Sequence, residues 1–325
     1  MRVLVSGYYG FGNLGDEALL AGMLTGLGTE GVTVLSQNPG VTRALHGVGA
    51  QHRLRGLTAL PGHDALISGG GGLLQDKTSS RSLRYYLGVL TLAKRLGKRT
   101  IVYGQSVGPL SPDGERAVAR ALRGVPVAVR DRPSQELLAR LGIPAELVAD
   151  AALLLPKPGT GLTETALAKI APVLLIPRGG YPKITAALVR LTNLLHSRGV
   201  PLAGLALQPG EDAAALAELP AVPRLVAPTP QAALALVAQS RYVVSARLHG
   251  LIFAARASVP FSGVAYDPKV AAFLTETGTR VHPVPPDPEA LMLEVFKPVF
   301  DVDRVATLTA RAQHGLVWLR ETLAR

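Results

Sequence analysis

Val32-Thr-Val-Leu-Ser, Ala65-Leu-Ile-Ser, Val173-Leu-Leu-Ile and Tyr242-Val-Val share one form: a short, mostly apolar run closed by a turn. Helical patterns separate these runs along the chain. A strand that is apolar on both faces must be covered on both faces, and the covering helices come from the chain between strands. This alternation specifies a parallel sheet with helices on either side. It also locates the chemistry, because every strand-to-helix turn of a parallel sheet lies along the same edge.

Residues 2–6 open the series as a strand, and Ala18-Leu-Leu-Ala-Gly-Met-Leu reads as the first helix. Between them stands Gly7-Tyr-Tyr-Gly-Phe-Gly-Asn-Leu-Gly-Asp-Glu. Its glycines do not follow the Gly-x-Gly-x-x-Gly register, and Asp16 and Glu17 stand where a diphosphate needs only amides, which argues against a dinucleotide cofactor. Asn13 and Asp16 suit a hydroxylated ligand; capping of the first helix by Asp16 is the structural alternative. Ala65-Leu-Ile-Ser runs into Gly69-Gly-Gly-Gly-Leu-Leu-Gln-Asp76, glycines that suit either a close backbone approach or a packing turn. A helix from Ser80 to Gly97 carries Lys94 and Arg95, with Lys98 just beyond, where basic groups favour its negative end. The strand from Arg99 to Val107 and the run Val125-Pro-Val-Ala-Val-Arg130-Asp131 follow, with a helix over Ser134–Leu141. Asn13, Asp16, Gln75, Asp76, Gln105 and Arg130 all fall at predicted strand ends, on one edge.

A chain of 325 residues exceeds the usual single domain. Residues 1–160 form the expected first domain, with Pro156-Lys-Pro-Gly-Thr-Gly as linker. Residues 171–300 form the second, and 301–325 a terminal helix. The second series alternates as helix 183–198, strand 201–207, helix 230–239, strand 242–246, helix 248–257, strand 260–266 and helix 269–277. The connection from Pro209 to Pro230 is Pro- and Ala-rich and weakly determined. The expected architecture is α/β, two Rossmann-like domains facing across a cleft, as in GT-B glycosyltransferases.

Ser245-Ala-Arg-Leu-His-Gly places Arg247 and His249 where a strand's carboxyl end meets a helix's amino end. Free amides there favour an anion. Arginine adds a planar fork for carboxylate or phosphate, and histidine a proton mobile near neutral pH. A surface arginine and a structural histidine are the plain alternative.

The absence of cysteine excludes disulfides, thiolate nucleophiles and cysteine metal sites. No His/Asp/Glu cluster has metal-ligand spacing, so no metal is expected. The net charge of +11 favours anionic substrates or an anionic membrane surface. The basic residues are scattered without interleaved aromatics, which argues against nucleic acid. No apolar run approaches the ~18 residues of a membrane span, and the N-terminus enters a strand directly, without a signal peptide's apolar core. A cytoplasmic location is expected.

Taken in order, Gly7-Tyr-Tyr-Gly-Phe-Gly-Asn-Leu-Gly-Asp-Glu-Ala, Gly69-Gly-Gly-Gly-Leu-Leu-Gln-Asp, Tyr103-Gly-Gln-Ser-Val-Gly-Pro, Val129-Arg-Asp and Ser245-Ala-Arg-Leu-His-Gly-Leu-Ile resemble the polysaccharide pyruvyl transferase family, CsaB type, over roughly residues 1–280. The resemblance implies an enzyme of GT-B-like fold that uses phosphoenolpyruvate rather than a nucleotide sugar. Its product is a pyruvyl ketal on a sugar of a cell-wall polysaccharide precursor, commonly on the 4- and 6-hydroxyls of N-acetylmannosamine, a modification tied to S-layer anchoring. It implies phosphoenolpyruvate contacts at Arg130, Arg247, Leu248, His249 and Lys269, the last in Tyr266-Asp-Pro-Lys. Phosphoenolpyruvate is then a substrate, and no cofactor is expected. The implied acceptor is a lipid-linked or polysaccharide sugar, with salt-sensitive peripheral association at the inner face of the membrane.

On the acceptor side stand Asn13, Asp16, Asp76 and Gln105, all in the first domain, with Asp16 as the base for a sugar hydroxyl. His249 serves as general acid or as phosphate ligand. The alternative is a GT-B glycosyltransferase using a nucleotide sugar, for which Glu276 would meet the ribose; no aromatic stands beside it to stack a base. A non-catalytic carbohydrate- or anion-binding protein is the third reading.

Overall fold

In β1 (Val3–Tyr9) successive side chains point to opposite faces of the sheet. Both faces are apolar: Val3 and Val5 join one buried cluster and Leu4 the other. The computed structural model in which this is seen describes residues 1–77, 79–158 and 171–325. The end of the expected linker and the boundary placed between 160 and 171 lie outside the described residues.

The chain divides into two compact units. The first comprises Met1–Phe11, Leu19–Leu154 and Thr309–Arg325, and the second Gly12–Ala18 and Leu155–Leu308. After β1 come α1 (Leu14–Leu27), β2 (Val32–Ser36), α2 (Pro39–His46), β3 (Gly49–His52), α3 (Gly56–Ala59), β4 (Ala65–Ser68) and β5 (Gly71–Leu74). Then follow α4 (Ser80–Arg95), β6 (Arg99–Val107), α5 (Pro112–Leu122), β7 (Val127–Val129), α6 (Arg132–Arg140) and β8 (Glu146–Leu147). The strand order is β3-β2-β1-β4-β6-β7-β8, with β5 also pairing to β6. Every pairing is parallel. The order reverses between β1 and β4, so the glycine-rich loops after these two strands flank the switch point. Ser79, Ser111 and Asp131 cap α4, α5 and α6, each side chain accepting from a backbone amide three residues on.

The second unit contains β9 (Val173–Ile176), α7 (Pro182–His196), β10 (Leu202–Leu205), α8 (Pro209–Ala217), β11 (Arg224–Leu225), α9 (Pro230–Ala238) and β12 (Tyr242–Ser245). It continues with α10 (Leu248–Ala257), β13 (Phe261–Val264), α11 (Pro268–Glu276), β14 (Val281–His282) and α12 (Pro288–Phe296), and α13 (Val302–Ala324) begins in it. Proline opens α7, α8, α9, α11 and α12, a position where its missing N–H has no partner to lose. The order β11-β10-β9-β12-β13-β14 is again wholly parallel. It reverses between β9 and β12. Val173, Leu175, Leu202, Tyr242, Val244 and Val264 from its strands share one buried cluster with Leu188 and Leu191 of α7.

Several boundaries differ from the sequence expectations. Helix α1 starts at Leu14 rather than Ala18, because the Asn13 side chain accepts from the Gly15 amide at 3.0 Å and supplies the cap. Half of the glycine run is strand β5 rather than loop. The weakly determined connection contains α8, with Glu211 and Asp212 in its first turn. Residues 309–325 do not stand apart: Leu316, Leu319 and Leu323 belong to the first unit's buried cluster.

Close packing of α1 gives a stability prediction. A Cβ on Gly22 would stand 1.9 Å from the Ala151 carbonyl oxygen, which is backbone and cannot turn aside. Gly22→Ala is expected to destabilise the protein by about 1–3 kcal/mol, the usual range for overpacking. The expected readout is a lower urea midpoint with an unchanged slope.

Candidate functional site

At the edge of the second unit's sheet, four strand-to-helix turns bring polar residues to the switch point. Arg178 follows β9, Gln208 to Asp212 follow β10, Arg247 to His249 follow β12, and Tyr266 to Lys269 follow β13. Asp212, fully buried in the first turn of α8, ties three of these turns together. Its Oδ1 accepts from the Gly179 amide at 3.1 Å, and its Oδ2 from the Gln208 amide at 3.0 Å. Both oxygens accept from Arg247, Nε at 3.0 Å from Oδ2 and Nη2 at 2.5 Å from Oδ1. The other donors of Arg247 reach Glu211 Oε2 at 2.9 Å and Gln208 Oε1 at 3.0 Å. A buried guanidinium is tolerable because it is paired and hydrogen-bonded on every nitrogen. Gly179 is required here, since a Cβ would meet the Glu211 carbonyl oxygen at 1.8 Å.

Arg178 lies beside this network. Its guanidinium carbon is 4.9 Å from the Tyr266 ring centroid and 5.6 Å from that of Tyr181, within cation–π range of both. The two rings are 4.9 Å apart. Burial pushes the Tyr266 phenol up to about 12, against the opposing pull of Arg178 and Arg247.

His249 is the second residue of α10, behind the buried Leu248. Its ring rests on Gly15: a Cβ there would be 2.1 Å from Nδ1 and 2.4 Å from Cγ. The segment bearing Gly15 is held in this unit by the Leu14 amide, which donates to the Leu207 carbonyl at 2.9 Å. Asp16, next along, is 8% exposed and sits within the first turn of α1. The cap belongs to Asn13, so Asp16 is not the capping residue; its carboxylate still favours the positive end of the helix. Asp267 caps α11 through the Lys269 amide, and its other oxygen lies 3.7 Å from Lys269 Nζ.

Asn13, Asp16, Arg247, Leu248, His249 and Lys269 therefore gather in the second unit, although Asn13 and Asp16 were expected in the first domain. Arg130, Asp76 and Gln105 belong to the first. Arg130 is buried, with Nη1 at 2.7 Å from Asp150 and Nε at 2.8 Å from Ser106 Oγ. Ser106 in turn donates to Asp131, so the Arg-Asp pair at the end of β7 is anchored from both residues. Gln105 is fully buried, and its amide donates to Ser68 Oγ at 2.7 Å and the Gly69 carbonyl at 2.9 Å. Gly69 faces the Tyr9 hydroxyl, 2.5 Å from where a Cβ would be, which favours the packing-turn reading of the glycine run. Asp76 is occupied by the Ser111 amide and hydroxyl at the start of α5.

Elsewhere in the first unit, a cavity of about 520 Å³ between α4 and α5 is lined by Arg84, Lys94, Arg95 and Arg120 over an apolar floor. Lys94 there donates to the Ala121 and Arg123 carbonyls. Among the described residues no helix is long and apolar enough to cross a membrane.

Sequence reasoning missed Arg178, Tyr181, Gln208, Glu211 and Asp212. The available signal was the pair Glu211-Asp212 just after a strand and a proline, where a helix start was to be expected.

The profile of the polysaccharide pyruvyl transferase family matches residues 13–268. No curated protein matches the chain. Among solved structures, the chain is similar to Anabaena HepE in complex with UDP-glucose, at 13% identity and a TM-score of 0.60, covering 100% of this chain and 99% of that one. It is similar to the Neisseria meningitidis UDP-GlcNAc 2-epimerase bound to UDP-GlcNAc, at 11% identity and a TM-score of 0.64, covering 100% of both chains. A glycosyltransferase from Rickettsia africae is similar at 13% identity and a TM-score of 0.54, covering 97% of this chain and 93% of that one. At such identities these likenesses concern the fold, which is the parallel-sheet α/β fold of GT-B glycosyltransferases and epimerases.

Two outcomes follow from this geometry. Gly15→Ala is expected to displace the His249 ring and abolish turnover while the melting temperature stays near that of the wild type. Asp212→Ala strands the Arg247 guanidinium and is expected to cost about 3–5 kcal/mol in chemical denaturation, as for other broken buried pairs.

Proposed function

The chain belongs to the polysaccharide pyruvyl transferase family, and from that membership we propose that it moves the enolpyruvyl group of phosphoenolpyruvate onto a sugar of a cell-wall polysaccharide precursor. The proposed product is a 4,6-pyruvyl ketal on N-acetylmannosamine, with release of phosphate. The observation that carries this reading is the seat of His249: an imidazole held on Gly15, the residue that precedes Asp16 in the chain, at the switch point of a parallel sheet.

Ketal formation needs a proton on the methylene carbon, which makes the adjacent carbon electrophilic. One sugar hydroxyl adds there, the bond to phosphate breaks, and the second hydroxyl closes the ring. Of the two hydroxyl protons, the balance leaves one on the new methyl group and one with the departing phosphate. His249 either delivers the proton or binds the phosphate, and Asp16 takes a proton from a hydroxyl; such a positioned acid or base contributes about 10²–10⁴-fold. In the second unit Lys269 supplies fixed positive charge for the departing phosphate, with Arg247 and Leu248 seating the turn; Arg130 is the candidate contact of the first unit. Asp150 and Asp212 already balance the two arginines, so their contribution is orientation more than net charge. Asn13, Asp76 and Gln105 remain the acceptor-side candidates. The lipid-linked acceptor would bring the protein to the inner membrane face, where the basic lining of the α4–α5 cavity suits anionic lipid.

Phosphate release from phosphoenolpyruvate is expected with an acceptor panel led by N-acetylmannosaminyl saccharides. Stabilisation by UDP- or GDP-sugars without phosphate release would replace this reading with nucleotide-sugar glycosyl transfer. Asp16→Asn is expected to cut turnover by about 10²–10⁴-fold, leaving melting temperature and phosphoenolpyruvate affinity near normal. Wild-type turnover in that variant would remove Asp16 as the base.

A further inference from the structure

Two arginines stand at the switch point of the second unit, and they are not equivalent. Arg247 is hydrogen-bonded on all three nitrogens and its side chain is 9% exposed. Arg178 makes one long contact, Nη1 to Glu211 Oε2 at 3.7 Å, and its side chain is 23% exposed. At that distance there is attraction but no hydrogen bond. Its Nε is shielded from solvent and has no hydrogen-bond partner among the described residues. A desolvated guanidinium N–H without an acceptor is costly, so the geometry asks for one.

Glu211 is the acidic group closest at hand. The same Oε2 that lies 3.7 Å from Arg178 is 2.9 Å from Arg247, so one carboxylate oxygen bridges the two cations. Unlike the fully buried Asp212, the Glu211 side chain is 45% exposed and can turn out to water. Its other oxygen accepts from the Gln208 side chain at 2.8 Å, a contact the neutral amide of a glutamine could also satisfy.

We propose that Arg178, walled by Tyr181 and Tyr266, is an anion-recognition residue of this unit, and that Glu211 is a resident counter-ion holding the ligand's place. A carboxylate or phosphate on a small organic frame takes the Nε–Nη edge of Arg178 in two parallel hydrogen bonds, and Glu211 swings outward as it enters. The two rings hold the guanidinium plane, which makes the fork, rather than charge alone, the recognised feature. The identification of the natural ligand as phosphoenolpyruvate rests on the function proposed above; the anion site does not.

The test is calorimetric titration of the full chain and of Arg178→Lys, Glu211→Gln and the double variant with phosphoenolpyruvate, pyruvate and inorganic phosphate. Arg178→Lys keeps the charge and loses the fork; it is expected to weaken phosphoenolpyruvate binding at least tenfold. Glu211→Gln is expected to tighten binding several-fold, and the gain is expected to vanish in the double variant. A gain for pyruvate alone assigns the carboxylate end to Arg178, and a gain for phosphate alone the other end. Wild-type affinity in Arg178→Lys, or no tightening in a folded Glu211→Gln, overturns the proposal. Because Glu211 is half-exposed, its variant is expected to melt with the wild type, which keeps the second arm informative. Phosphate binding that depends on Arg178 without phosphoenolpyruvate turnover would leave this site standing and remove the proposed reaction. Turnover with an unchanged KM in Arg178→Lys would do the reverse.

Discussion

The bond between Asp212 and Arg247 is the interaction on which the second unit's working edge depends. A guanidinium and a carboxylate, both withdrawn from water, are each too costly to bury alone. Together they fix the relative positions of three turns, after β9, β10 and β12. The turn after β12 also carries His249, so the histidine's place is set at one remove by a carboxylate it need not touch. Ser245 adds a local brace, its hydroxyl accepting from the Arg247 amide and donating to the Arg247 carbonyl. Such bracing gives a side chain carried on the turn a single orientation before any ligand arrives.

The same logic is visible in the first unit with different members. Arg130 pairs with Asp150 and reaches Ser106, which donates to Asp131, which caps α6. Both arginines that the sequence pointed to are thus built into buried networks. This separates two uses of arginine that a motif cannot distinguish. A guanidinium held by buried acceptors on several of its nitrogens acts as a structural rivet, and one whose Nε edge has no acceptor among the described residues, such as Arg178, is ready to receive a ligand.

Much of the architecture was legible because it depends on local pattern. The strands Val32–Ser36 and Ala65–Ser68 and the helix Leu248–Ala257 fall where the apolar runs put them. The start of α1 was misjudged because glycine- and asparagine-rich sequence looks like loop, and only the cap from Asn13 to Gly15 shows where the helix begins. The site was legible in part. Arg247 and His249 stood out by their place after a strand, and that place is where they are found. Asp212 did not stand out, since a carboxylate in an alanine-rich helix reads as a solvated face until its burial is known. Arg178 escaped for a similar reason: of its neighbours only Tyr181 is local, while the nearer ring, Tyr266, and the Glu211 carboxylate come from distant stretches of chain. Residues that meet through topology leave no periodic trace.

The seven residues from Gly12 to Ala18 belong with the second unit although the chain returns to the first on either side of them. Neither unit is therefore one uninterrupted length of polypeptide. A fragment beginning at Leu155 would carry the whole Arg-Leu-His turn but not the glycine on which its imidazole rests. Genetic exchange between relatives faces the same restriction: a crossover near the middle of the gene would pair a histidine from one parent with a glycine loop from the other. Variation in that loop and in the helix α10 turn should accordingly be inherited together, despite more than half the coding sequence lying between them.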